Sequence, residues 1–189
     1  MLKNKASAKE IREAFDALSH QERLNEMYQF DSHSQALLFD LVTGQDCSFD
    51  FFVPPSRLNE EVIHWGQNSL PLFSKFQKRM AAIEGVNGIE YSGYNEQLMK
   101  ALTGPGYFQL ADNLVSPGGR KQLFVDYINL PSFKLDSWPA IIPNSARLSR
   151  VIYYQTRDWM WQVSEHVSIG RASRQGRWMD NWFLLCRED

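Results

Sequence analysis

The sequence predicts an α+β fold: a mostly antiparallel sheet of about four to five strands, packed with N-terminal helices and one long helix before a final hairpin. Three observations carry this reading. Helical periodicity and capping signals concentrate in the first half of the chain. Extended patterns separated by turn signals dominate after the Gly104-Pro105-Gly106 run. The last strand, Trp182 to Cys186, is apolar on both faces.

The helices come first. Ser7-Ala8-Lys9-Glu10 is a capping box, and Ile11, Ala14, Phe15 and Leu18 follow at helical spacing. Ser19-His20-Gln21-Glu22 repeats the pattern, with Leu24, Met27 and Tyr28 behind it. A third helical run covers Ser34 to Thr43 and ends at Gly44. Residues 45–57 read as irregular, with a short strand over Phe49 to Val53 ended by Pro54-Pro55. A helix is expected from Asn59 to Ile83, broken or kinked at Pro71, and another from Tyr94 to Leu102.

Beyond Gly106 the period becomes extended. Tyr107 to Ala111 and Gln122 to Ile128 form a hairpin-like pair around Ser116-Pro117-Gly118-Gly119. Residues 129–144, with Pro131, Pro139 and Pro143, read as a long ordered loop anchored by Trp138, Ile141 and Ile142. The last helix is capped at Asn144 or Ser145 and runs through Leu148, Val151, Ile152, Trp159 and Val163. Two strands close the chain, His166 to Ala172 and Trp178 to Arg187. The whole reads as one domain over 1–189, mainly helical over 1–104 and mainly sheet over 105–189.

Composition bounds the function classes. The chain has 189 residues, 43% hydrophobic and 22% charged, as expected for a folded globular domain. The net charge of −2 gives no field for nucleic acid or an anionic membrane. No apolar run is long enough for a transmembrane helix, and the N-terminus lacks an apolar signal core. A soluble, cytoplasmic protein is the expectation. The two cysteines and four histidines lack metal-ligand spacing, so no metal and no cofactor are expected. All seven basic residues after position 144 are arginine, the type suited to carboxylate and phosphate.

The candidate site lies in the C-terminal hairpin. On the penultimate strand Val167 and Ile169 share one face, while His166, Ser168, Gly170 and Ala172 leave the other small. That face is either closely packed or the floor of a cavity. The first functional reading is binding of a small, largely apolar or aromatic ligand between sheet and helices, contacted by Tyr107, Arg150, Ser168 and Trp161. The alternative is a small-molecule enzyme in the same cavity, of proton-transfer, isomerase or hydrolase type, with His166 or Asp126 as base and an arginine as the anion anchor. A third reading is an interaction module, docking through Trp161 and the loop 129–144, and a homodimer fits the aromatic content.

Overall fold

The computed structural model describes residues 6–70, 74–86, 88–96, 104–146 and 153–189. Among the described residues four α-helices lead: α1 (Ala8–Asp16), α2 (His20–Met27), α3 (Ser32–Leu41) and the short α4 (Phe49–Phe52). Eight strands follow: β1 (Val62–Asn68), β2 (Lys75–Gly85), β3 (Gly88–Glu96), β4 (Phe108–Ala111), β5 (Phe124–Asp126), β6 (Thr156–Gln162), β7 (Val167–Arg174) and β8 (Arg177–Arg187). Each strand pairs antiparallel with the next, and β8 returns to β1. The described strands thus form a closed barrel, each paired on both sides.

The capping boxes form as their residues dictate. Glu10 N–H donates to Ser7 Oγ at 3.3 Å, and Ser7 N–H to the Glu10 carboxylate at 2.7 Å. The Glu22 carboxylate accepts from Ser19 N–H and Oγ. Asp31 caps α3 by accepting from Ser34 N–H at 2.8 Å.

The α+β expectation is overturned. The helix expected over 59–83 is instead β1 and β2, and the one expected from Tyr94 begins inside β3. The long C-terminal helix is replaced over 156–162 by β6; residues 147–152, with Arg147 and Arg150, lie outside the described residues. The short strand at 49–53 is α4. The strands expected at 107–111 and 122–128 are β4 and β5, paired as a hairpin would pair them, and the last two strands are β7 and β8.

The misread strands share a cause. Inward positions of β2 are Phe76, Lys78, Met80 and Ala82, and those of β6 include Asp158 and Met160. A charge in each inward row breaks the period of two. Meanwhile Phe76, Met80 and Ile83 fall at helical spacing by coincidence with the pleat.

Three apolar layers result. Inside the barrel lie Val62, Met80, Phe108, Leu110, Val125, Tyr127, Met160, Phe183 and Leu185. Outside β6, β7 and β8, the helices cover Trp161, Val167, Ile169, Leu184 and Cys186 with Ile11, Phe15, Met27 and Leu38. Outside β2 and β3, the loop 129–144 lays Trp138 on Ala81, Ile83, Tyr94 and Tyr107. The last strand is therefore covered on both faces, by the barrel interior and by the helices. No helix among the described residues is long and apolar enough to cross a membrane.

Candidate functional site inside the barrel

The inward rows of β1, β2 and β3 bring three polar residues side by side. Lys78 stands directly opposite His64 on β1 and opposite Asn95 on β3. All three are buried, with Lys78 only 2% exposed. Across the barrel, Tyr127 follows β5 and Asp158 sits on β6. In an eight-strand ring β2 and β6 are four strands apart in either direction. Lys78 therefore spans the barrel to reach Asp158 at 3.3 Å. Its ammonium also donates to Asn95 Oδ1 at 3.2 Å and to the Tyr127 hydroxyl. Asn95 Nδ2 donates to the Tyr127 hydroxyl at 3.1 Å and to the Gly106 carbonyl at 3.0 Å.

Rings enclose this amine. The centroids of Tyr127, Phe108, Phe183 and Phe76 stand 4.9, 5.0, 5.1 and 5.6 Å from Nζ. Three of these rings are placed by a glycine. Gly66 pairs with Phe76, Gly93 with Phe108 and Gly170 with Phe183. At each glycine a Cβ would collide with the ring of that phenylalanine. Without a Cβ the ring can lie over the glycine backbone, inside the barrel. The small face of β7 is thus occupied at Gly170 by Phe183 and Met160.

Electrostatics follow from burial. Loss of hydration pushes the Lys78 amine down and the Asp158 carboxyl up, and each partner's charge opposes the shift. The Tyr127 hydroxyl is pushed up by the same burial. Burial lowers His64 to about 3, so it is neutral. Its Nε2 lies 2.9 Å from the Phe52 carbonyl, which can only accept, so Nε2 carries the hydrogen. Nδ1 is then a lone-pair acceptor, and it has no hydrogen-bond partner. Ser168 Oγ, also inside the barrel, has none either. Orphaned buried polar atoms are uncommon in folded proteins and call for an explanation.

The residues singled out from the sequence are dispersed. Asp126 lies beside Arg157 at one end of β6, with a 3.4 Å ion pair, and accepts from Ile128 N–H and Asn129 Nδ2. His166 lies beyond the other end, where Nδ1 is 3.2 Å from Asp189. Roughly 17 Å of strand separate them, so they are not brought together. Tyr107 is outside the barrel, its hydroxyl donating to the Pro139 carbonyl at 2.5 Å. Trp161 is under the helices and 2% exposed, on the same face as Trp159 because the segment is a strand. Ser168 alone faces the interior, and Arg150 is not among the described residues. Asn144, expected as a helix cap, donates to the carbonyls of Tyr107 and Tyr127 at 2.8 Å.

The sequence reading missed Lys78, Asp158, Asn95 and Tyr127. The available signal was a lysine in the apolar alternation Phe76-x-Lys78-x-Met80-x-Ala82. An open cavity of about 370 Å³ lies on the outer face of β6 and β7, lined by Val115, Pro117, Arg157 and Trp159 among others. Its polar groups are largely taken up: Trp159 Nε1 donates to Ser173 Oγ at 2.8 Å, Gln175 to Gln155 at 3.0 Å, and Arg157 pairs with Asp126.

Fold and site together define a class: an up-and-down eight-strand antiparallel β-barrel with a polar quartet in an aromatic box at its centre. No protein-family model matches the chain, and neither the curated proteins nor the solved structures provide a match.

Proposed function

We propose that the barrel binds a small, largely apolar or aromatic ligand that carries one neutral polar group. The carrying observation is the Lys78 ammonium, buried among four rings and held by Asn95, Tyr127 and Asp158. A buried ion pair is a poor source of stability, because desolvating two charges costs several kcal/mol per ion. Perturbed, buried ionisable groups concentrate at functional sites. An eight-strand barrel is wide enough either to be filled by side chains or to hold one small ligand.

The charges decide the ligand's polarity. Lys78 and Asp158 sum to zero. An anion would pay its own desolvation with no net charge to meet it. A neutral carbonyl, hydroxyl or amide can instead exchange hydrogen bonds with the quartet, and its apolar body can stack on the rings. His64 Nδ1 and Ser168 Oγ are further unsatisfied groups in the same barrel.

Titration with benzyl alcohol, indole and short aliphatic alcohols, read by calorimetry and thermal shift, tests the reading. Saturable binding is expected, weakened at least about tenfold in the Lys78→Met/Asp158→Leu double variant. Absence of saturable binding for every neutral probe, or equal binding by that variant, would overturn it.

A further inference from the structure

We propose that Lys78 is a carbonyl-reactive amine, and that the ligand of the barrel is an aromatic or apolar aldehyde or ketone held as an imine on Nζ. This rests on the binding reading above and names its ligand class. Four features of the site carry it.

Nζ stands buried in a box of four rings; the ring faces attract the ammonium, but loss of hydration at this depth favours the uncharged amine. Asp158, 3.3 Å away, can take the ammonium proton, converting an ion pair into an amine and a carboxylic acid with no change in net charge. Burial pushes the two groups toward that exchange. The Tyr127 hydroxyl also reaches the amine, and its hydrogen can be donated to a carbonyl oxygen arriving there. The apolar walls hold back the water that would hydrolyse the product.

The steps balance. The Nζ lone pair adds to the carbonyl carbon, and the C=O π pair moves to oxygen, which takes the proton from Asp158. The nitrogen of the carbinolamine returns a proton to the Asp158 carboxylate. Asp158 then delivers it to the hydroxyl, which leaves as water while the C=N bond forms. The nitrogen keeps one hydrogen, so one carbonyl compound, one amine and the Asp158 proton give one water and a protonated imine paired with the Asp158 carboxylate, with no oxidant or reductant.

The full chain is incubated with benzaldehyde and sodium cyanoborohydride, whose hydride reduces the imine to a stable benzylamine. Peptide mapping by mass spectrometry then compares Lys78 with exposed Lys9 and Lys75. Labelling of Lys78 at least about tenfold above both, at mildly acidic pH where exposed lysines are almost wholly protonated, is the expected result. Benzyl alcohol, which cannot form an imine, should suppress it competitively in the unmodified protein. This arm needs no variant that might not fold. Lys78→Arg should lose the label while keeping the remaining lysine pattern. Labelling of Lys9 and Lys75 without Lys78 overturns the inference. If benzyl alcohol still binds saturably in that case, the binding function stands and only the covalent step falls. If neither probe engages the barrel, both fall.

Discussion

Removing one end of the cross-barrel ion pair should cost far more than removing both. In Lys78→Met the carboxylate of Asp158 keeps its burial and loses its ammonium partner. Breaking a buried pair this way costs about 3–5 kcal/mol. At this chain length each kcal/mol lowers the melting temperature by about 2–4 °C, so a fall of roughly 6–20 °C is expected. Lys78→Met/Asp158→Leu replaces both charges with apolar groups. Such replacements are neutral or stabilising by about 1–4 kcal/mol. The double variant should therefore melt at or above the parent, and the double-mutant cycle should show several kcal/mol of coupling.

The single variant also carries a pH signature. With the lysine gone, only the Tyr127 hydrogen bond still opposes burial, the larger effect, which holds the folded pKa of Asp158 above the unfolded value. Between those two values the folded state binds more protons than the unfolded state. Stability of Lys78→Met relative to the parent should then fall as pH rises, by up to about 1.4 kcal/mol per unit. Urea denaturation at several pH values measures both effects. A loss under about 1 kcal/mol, as for an exposed pair, or additive single variants, would refute the reasoning.

Three further outcomes follow from the same interior. His64, lowered to about 3 by burial, must gain a proton on acid unfolding; between that value and its unfolded pKa the unfolded state binds more protons, so stability is lost as pH falls. His64→Phe should flatten the acid limb of the stability profile by up to about 1.4 kcal/mol per unit, and an unchanged slope in urea melts would contradict this. Gly93→Ala places a methyl against the Phe108 ring and the Arg79 carbonyl; about 1–3 kcal/mol of destabilisation is expected by denaturant titration, with weaker probe binding because Phe108 leaves its place beside Lys78. Ser7→Ala removes one capping-box acceptor and should cost about 1 kcal/mol in the same assay without altering probe binding, since α1 packs outside the barrel.

Local signals in the chain determined the parts whose interactions lie close in sequence. Ser7 with Glu10 and Ser19 with Glu22 are three residues apart, and both boxes form. The β7 and β8 pattern states its own alternation, and the two apolar faces of Trp182 to Cys186 already require cover on each side. Tertiary structure decided that this cover is a barrel interior on one side and helices on the other. It also decided the identity of β2 and β6. Their inward rows contain Lys78 and Asp158, and a charge in such a row reads locally as a solvent-facing position. Only closure of eight strands places the two charges across from one another, where each makes the other's burial tolerable. The length of β6 separates Asp126 from His166, which the sequence had offered as alternatives for one base.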